Sequence, residues 1–228
     1  MAKQIEDEVA YYYDSHPTEE DLMGETSDHA ALVSYLMAVL TWLLHGQRCA
    51  IYENLNFYQT ANKYERPLAP DIAVIKGAPF QRVKSWRIGT TGPAPHVVFE
   101  IASEETWTKD LNEKVWKYAR MGVQEYFTYD PNDPPAWRGV SDRLIGWQLD
   151  KDTQTMHRMS TGPNGHIWSP HLESFLVPDG QYLRLYDRHG QLRLTKDQAE
   201  TKRAEMEARR AQALAEKLRS MGIDPDKI

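Results

Sequence analysis

Apolar residues recur at two different spacings along the chain, and each spacing indicates one kind of element. The segment from His96 to Ala102 is almost entirely apolar and has the length of a short buried strand. Apolar positions at helical spacing predict amphipathic helices over residues 27–45 and 109–121. Further strands are predicted at 72–75, 144–149, 156–160, 181–186 and 192–194, and a charged helix at 196–221. The pattern therefore predicts an α/β protein.

One charged side chain interrupts the apolar strand. Strand alternation places Glu100 on the face shared by Val98 and Ala102. An isolated carboxylate buried there would cost several kcal/mol or would take up a proton. Glu100 is therefore a candidate functional residue, whose charge is expected to meet a cation, a metal or a proton donor.

A second carboxylate lies at the entrance of the strand predicted at 72–75. Asp71 follows Pro70, and two paired strands that each carry an acid near one end can bring both acids together. At about 4 Å, two like charges repel by roughly 4 kcal/mol at an effective dielectric constant of 20. A divalent cation relieves that repulsion, and oxygen-only ligation favours Mg²⁺ or Mn²⁺ over zinc. The alternative is that Asp71 merely closes a turn after the proline.

The helix predicted at 109–121 follows the Glu100 strand and is expected to stop at Gly122. Asp110, Lys114 and Tyr118 are spaced by four residues along the edge of its apolar stripe, so their polar groups could reach the end of the sheet. The alternative is an ordinary surface ion pair between Asp110 and Lys114, worth roughly 0.3–0.5 kcal/mol. A lysine at the margin of a helix is expected to contribute little to folding.

Taken in order along the chain, these residues form a fairly specific pattern. It comprises Pro70-Asp71, Glu100-Ile101-Ala102-Ser103, Asp110, Lys114, Tyr118, Gly-Val-x-Glu-Tyr at 122–126 and, at its end, Tyr126-Phe127-Thr128-Tyr129-Asp130-Pro131. Over roughly residues 20–195, this set resembles the Uma-type putative restriction endonuclease family, within the PD-(D/E)XK nuclease superfamily. His29 matches a histidine that opens an N-terminal helix in the family, and residues 218–225 resemble the ending of many relatives.

The resemblance implies a restriction-endonuclease-like fold and a nuclease activity. The expected architecture is a central mixed β-sheet flanked by helices, with a β extension over 143–194 and a C-terminal helix. The expected reaction is Mg²⁺- or Mn²⁺-dependent hydrolysis of phosphodiester bonds, of DNA, with Asp71 and Glu100 as the metal ligands. Ala102 stands where the superfamily usually has a lysine, and the resemblance implies that Lys114 has taken over that catalytic role.

Other residues are expected to support this site. Asp110 and Tyr118 would orient Lys114, and Glu25 or His29 would add a group from the first helix. The rival interpretation is a non-catalytic nuclease-fold module that binds nucleic acid or a partner protein. The displaced lysine and the acidic charge of the chain favour that rival.

Charge limits the expected affinity for nucleic acid. The chain has a formal net charge of −6 and an isoelectric point near 5.8, which argues against strong indiscriminate binding of nucleic acid. Binding to DNA is therefore predicted to be weak and strongly salt-dependent. The basic runs at 82–87 and 109–120 could line a local groove, or they could belong to a solvated surface of mixed charge.

The chain is expected to form a restriction-endonuclease-like domain over 1–195 and a charged helical tail over 196–228. The thin apolar seam of the tail argues against a strong leucine zipper but leaves a homo-oligomer contact open. Cys49 is the single cysteine, so no intrachain disulfide can form. The sequence has neither a signal-peptide pattern nor an apolar stretch of 18 residues, so a cytoplasmic protein that does not span a membrane is expected.

Overall fold

The computed structural model describes residues 11–17, 26–103, 107–222 and 224. Two compact units divide the chain, residues 1–193 and 194–228. The first unit contains helices α1 (Ser27–Leu43), α2 (Trp107–Leu111) and α3 (Glu113–Met121), with strands β1 (Cys49–Glu53), β2 (Asn56–Tyr58), β3 (Ile72–Lys76), β4 (Ser85–Arg87), β5 (Val97–Ile101), β6 (Glu125–Tyr129), β7 (Leu144–Asp150), β8 (Thr155–Arg158), β9 (Ile167–Ser169), β10 (Ser174–Asp179) and β11 (Tyr182–Tyr186). The second contains α4 (Lys196–Ser220).

A mixed sheet forms the centre of the first unit. Its strands lie in the order β1-β3-β5-β6-β7-β8. Strands β5 and β6 pair in parallel, and the other neighbours pair antiparallel. The α2–α3 segment connects the two parallel strands, as a parallel pair requires a crossover. The predicted central mixed sheet is confirmed.

Helices cover both faces of this sheet, because its buried strands carry apolar side chains in both directions. On one face, Leu36 and Leu40 of α1 belong to a buried cluster with Phe99. On the other, Tyr118 and Met121 of α3 belong to a separate buried cluster. Side chains of the apolar run around Glu100 alternate between the two faces of the sheet, so this one strand contributes to both buried clusters.

The helix predicted at 109–121 is in fact two helices. Asn112, between α2 and α3, has φ −128° and ψ −74°, outside the helical range. Its side-chain amide donates to the backbone carbonyl of Thr108 at 2.8 Å, a local bond with which asparagine competes with regular helix. The predicted stop at Gly122 is confirmed, since this residue caps α3 in the left-handed conformation at φ 85°.

The predicted β extension is correct in part. Strands β7 and β8 continue the central sheet, whereas β9, β10 and β11 form a separate three-stranded antiparallel sheet. Residues 167–169 and 174–179, which the periodicity missed, are strands, and the predicted strand at 192–194 reduces to an isolated bridge between Tyr186 and Leu192. Strands β2 and β4 form a small parallel pair.

The second unit is a capped, solvent-facing helix. The hydroxyl oxygen of Thr195 accepts from the backbone N–H of Gln198, and the Gln198 side chain accepts from the backbone N–H of Thr195. Met206 and Leu214 are exposed, in keeping with the thin seam predicted for the tail. Among the helices that the structure describes, none is long and apolar enough to cross a membrane.

Candidate functional site

The site is built where β3 begins and β5 ends. The antiparallel register pairs Ile72 with Phe99, so its continuation by one residue sets Asp71 opposite Glu100. Residues directly opposite in such a pair share a face, with Cβ atoms about 4.5–5.5 Å apart. The Oδ2 atom of Asp71 also accepts the backbone N–H of Ile101 at 2.5 Å. Asp71 therefore contacts the Glu100 strand, beyond any role in closing a turn.

Lys114 reaches this carboxylate from helix α3. Its Nζ atom lies 3.0 Å from Oε2 of Glu100 and 2.8 Å from Oδ1 of Asp110. The side chains of the two acids are 5% and 1% exposed, and that of Lys114 is 23% exposed. The ammonium thus points into the sheet end and not into solvent.

Asp110 and Tyr118 lie deeper than the helix edge predicted for them, and both are 1% exposed. Asp110 contacts Lys114 as expected. Tyr118, expected to orient Lys114, instead donates its hydroxyl to Oε1 of Glu100 at 2.5 Å. A second tyrosine, Tyr126 of β6, donates to the backbone carbonyl of Asp110 at 2.9 Å. The two tyrosine hydroxyls thus fix the side chain of Glu100 and the backbone of Asp110.

The first helix contributes His29. The side chain of its N-cap residue, Thr26, accepts the backbone N–H of His29 and so fixes the first turn. The Nε2 atom of His29 lies 3.3 Å from Oδ1 of Asp71. Glu25, the other candidate from this region, lies outside the described residues.

Burial and like charge dominate the electrostatics of this cluster. Burial raises the pKa of Glu100, Asp71 and Asp110 raise it further, and Lys114 opposes them. The two carboxylates paired with Lys114 hold its pKa above the ordinary lysine value despite its burial. Lys114 therefore stays protonated. Its single positive charge faces the three carboxyl groups of Glu100, Asp110 and Asp71, so it cannot neutralise all of them.

The donor set fits a hard divalent cation in its chemistry. Asp71 and Glu100 offer carboxylate oxygens, and their mutual repulsion is what a bound cation would relieve. Within the described residues, no group of three or more His, Cys, Asp or Glu side chains gathers as a metal site. Protein ligands from two carboxylates are typical of Mg²⁺, which retains several waters.

Another buried acid, Glu125, received no role from the sequence. It is fully buried at the start of β6, in the motif Gln124-Glu125-Tyr126. An acid in an apolar strand is the same signal that singled out Glu100. Its oxygens, however, accept from the Ser169 hydroxyl at 2.5 Å and from the backbone N–H of His171 at 3.1 Å, both neutral donors.

Comparison with known proteins places the chain in a family. Residues 4–138, more than half of the chain, match the model of the Uma2 family, described as putative restriction endonuclease. The chain belongs to this family, and its mixed sheet between helices is the α/β architecture that the resemblance implied.

A solved structure with partial similarity is a nuclease-like protein by its own description. It is the crystal structure of a putative nuclease belonging to DUF820 from Anabaena variabilis, which is 15% identical with a TM-score of 0.46. The match covers 66% of this chain and 76% of that one. No curated protein matches the chain.

Proposed function

We propose that this chain is a divalent-metal-dependent nuclease that hydrolyses phosphodiester bonds of DNA. One observation carries the proposal: Lys114 is held at 3.0 Å from the buried Glu100, in a cluster that also contains Asp110 and, across the strand pair, Asp71. Membership of a family described as putative restriction endonuclease supports the same activity. Buried carboxylates beside a lysine combine oxygen ligands for a metal with a fixed positive charge for a phosphate.

Asp71 and Glu100 are the residues that would hold the cation, Mg²⁺ or Mn²⁺. Such a cation lowers the pKa of a bound water and neutralises charge that develops on the phosphoryl oxygens. Glu100 serves as a ligand in its carboxylate form. Since burial and its acidic neighbours raise its pKa, metal affinity and cleavage are expected to rise with pH as Glu100 loses its proton.

Lys114 acts as a permanent charge in this proposal. Its raised pKa excludes it as the base that takes a proton from water, because it stays protonated throughout the useful pH range. Its ammonium instead stabilises negative charge on the phosphate, and Asp110 orients it. Tyr118 fixes the carboxylate of Glu100, and His29 is a positioning residue beside Asp71.

The second candidate is a non-catalytic module that binds nucleic acid or a partner protein. The specific observation in its favour is that Lys114 is paired with two acids, Glu100 and Asp110. A lysine that serves only to neutralise Glu100 and Asp110 would show the same geometry.

Plasmid nicking in the presence of Mg²⁺ or Mn²⁺ separates the two candidates. We expect wild-type cleavage that a chelator abolishes, and losses of roughly 10²–10³-fold or more in Asp71→Asn, Glu100→Gln and Lys114→Ala. Glu125→Gln is the matched control, because it neutralises a buried acid outside the proposed site, and it should retain cleavage. No wild-type cleavage of DNA or RNA would favour the binding module, whereas cleavage that survives Lys114→Ala would contradict the role proposed for Lys114.

A stability measurement tests the metal site without relying on activity. A ligand present at 100 times its Kd and bound only to the folded state stabilises that state by about 2.7 kcal/mol. Mg²⁺ should therefore raise the Tm of the wild type and of Glu125→Gln. It should leave the Tm of Glu100→Gln nearly unchanged. An identical Tm rise in all three proteins would contradict Glu100 as a ligand.

A further inference from the structure

The outer surface of α3 carries an exposed aromatic ring between two cations. Trp116 is 49% exposed, an unusual position for the largest apolar side chain. The guanidinium of Arg120 lies 5.7 Å and the ammonium of Lys117 lies 5.9 Å from the centre of its ring. Both are within cation–π range. Both cations lie over the ring, so the helix presents aromatic surface and positive charge together.

This surface borders a depression of about 150 Å³. Its lining includes Gln59, Arg66, Leu68, Trp116, Lys117 and Arg120. The side-chain amide of Gln59 donates to the backbone carbonyl of Arg120, which ties the chain segment at 59–68 to the end of the helix. Leu68 is held in turn by two backbone hydrogen bonds to Phe57. The depression therefore has fixed walls.

The charge of the lining is opposite to that of the chain as a whole. Among the described residues that line it, Arg66, Lys117 and Arg120 oppose one acid, Glu65, in a chain of net charge −6. The carboxylate of Glu65 already accepts from the backbone N–H groups of Gln59 and Thr60 and from the Thr60 hydroxyl. Lys117 forms an ion pair with Glu113, which lies outside the lining. The described lining residues thus carry a surplus of positive charge in an acidic protein.

Both walls of the depression continue into the proposed active site. The segment containing Leu68 reaches Asp71 three residues later. Helix α3 carries Lys114 two residues before Trp116, and at 1.5 Å of rise per residue Arg120 lies about 9 Å along the helix axis from Lys114. At about 100° of rotation per residue, Trp116 and Arg120 lie on the outer side of α3, nearly opposite Lys114, so a strand bound there would have to pass around the helix to reach Lys114.

We propose that Trp116, flanked by Lys117, Arg120 and Arg66, is the platform on which an unpaired base of a nucleic-acid strand stacks, on the outer face of the helix that carries Lys114. The inference rests on the proposed function, because it takes nucleic acid as the ligand of the same site. A single strand fits this surface better than a duplex. In a duplex the faces of the bases are covered by neighbouring bases, whereas the face of an unpaired base is free to stack on an aromatic ring. The cations supply contacts to phosphate.

Binding of labelled oligonucleotides, measured by fluorescence anisotropy in the presence of a chelator, tests the platform apart from cleavage. We expect the wild type to prefer a single strand over the matching duplex. Trp116→Ala should weaken single-strand binding by roughly 5- to 100-fold, the effect of losing one base–aromatic stack. The matched control is Trp42→Ala, because Trp42 is a 36% exposed tryptophan on α1, and it should bind like the wild type.

Salt dependence tests the cations in the same assay. The logarithm of the binding constant for a single strand changes by about −0.7 per neutralised phosphate for each unit of log salt. Arg120→Gln should therefore make the slope shallower by about 0.7. Arg188→Gln, at an exposed arginine outside the lining, should leave it unchanged.

The outcomes separate this inference from the proposed function. Equal binding by Trp116→Ala and Trp42→Ala, a preference for duplex, or no binding of nucleic acid would overturn the platform, even if the wild type nicks plasmid. Single-strand binding that depends on Trp116 in a protein that never cleaves would support the platform and overturn the nuclease. Because Trp116 is half exposed, an unchanged Tm in Trp116→Ala confirms that the variant is folded.

Discussion

Two buried glutamates lie at opposite ends of the central sheet and on opposite faces of it. Glu125 starts β6 and pairs with Val97, the first residue of β5, whereas Glu100 is next to the last residue of β5. The exposed fractions of Glu100 and Glu125 are 4% and 0%. Burial raises the pKa of both carboxyl groups, and that of Glu125 rises to about 7. Burial alone therefore does not distinguish a functional acid from a structural one.

The partners of the two acids make the difference. Glu125 meets a hydroxyl of Ser169 and a backbone N–H of His171, and these neutral donors satisfy both of its oxygens. Glu100 shares Lys114 with Asp110 and also lies beside Asp71. In the first arrangement each oxygen has a neutral donor, and the charge of Lys76 opposes the effect of burial on the pKa of Glu125. The second concentrates negative charge, which a cation can relieve, so surplus charge and not burial distinguishes the proposed site from Glu125.

The largest expected effect is a difference in folding free energy between two variants, one lacking the lysine near Glu100 and one lacking the lysine near Glu125. Lys114→Ala leaves Glu100 and Asp110 buried without their cation, which should cost about 3–5 kcal/mol of folding free energy at pH 8. Lys76→Ala removes a hydrogen bond to the backbone carbonyl of His171 and should cost about 1 kcal/mol. Urea denaturation of both variants at pH 8 measures the difference.

The pH dependence of this loss identifies its cause. Without Lys114 the pKa of Glu100 rises further, so the acid can take up a proton as the pH falls. The cost of Lys114→Ala should therefore be smaller at pH 5 than at pH 8. If Lys114→Ala and Lys76→Ala lose the same folding free energy, then Glu100 does not depend on its lysine more than Glu125 does. A large cost would also revise the expectation from the sequence that a lysine at a helix margin contributes little to folding.

The sequence predicted the fold where apolar periodicity is long or continuous. Helix α1 and the central strands β3 and β5 followed from it, and so did the stop at Gly122. Strand β9 was missed because it has only three residues, and β10 was missed because its apolar run at 175–177 is short and is followed by Pro178, which is uncommon inside a strand. The break at Asn112 depends on one side-chain bond to Thr108, which periodicity does not reveal.

The sequence singled out residues of the candidate site but did not predict the hydrogen bonds between them. A carboxylate in an apolar strand singled out Glu100, and four-residue spacing on a helix singled out Lys114. The bond from Tyr118 to Glu100 depends on how far α3 is rotated toward the sheet, which tertiary packing sets. Glu125 carried the same local signal as Glu100, and only residues 169–171, far along the chain, reveal its neutral partners.

An intermediate effect is expected from neutralising Glu125. Its pKa of about 7 exceeds the ordinary value of 4.5, so the folded state binds this proton more tightly than the unfolded chain does. That stabilisation is fully present below about pH 4.5 and is lost as the pH rises through about 7, a change of roughly 3 kcal/mol. Glu125→Gln removes the change, so the variant should gain stability relative to wild type between pH 5 and pH 8.

Urea denaturation of the two proteins at several pH values checks this. Burial lowers the pKa of the nearby His96 and His171, and both histidines remain in the variant. Taking the difference between wild type and Glu125→Gln at each pH largely removes their contribution. A difference that stays constant from pH 5 to pH 8 would mean that Glu125 is ionised throughout, and the contrast with Glu100 would then rest on Lys114 alone.

The smallest expected effect concerns the hydroxyl that each acid accepts. Tyr118 donates to Glu100 and Ser169 donates to Glu125, both at 2.5 Å, so Tyr118→Phe and Ser169→Ala form a matched pair. Each should cost about 1–2 kcal/mol of stability. The hydrogen bond from Tyr118 lowers the pKa of Glu100, so its loss should raise that pKa and move the rising limb of the pH–rate profile for cleavage to higher pH. Ser169→Ala should leave the profile in place, because Glu125 takes no part in the proposed reaction. Profiles that shift equally, or that do not shift in Tyr118→Phe, would contradict the assignment of Glu100 as the titrating metal ligand.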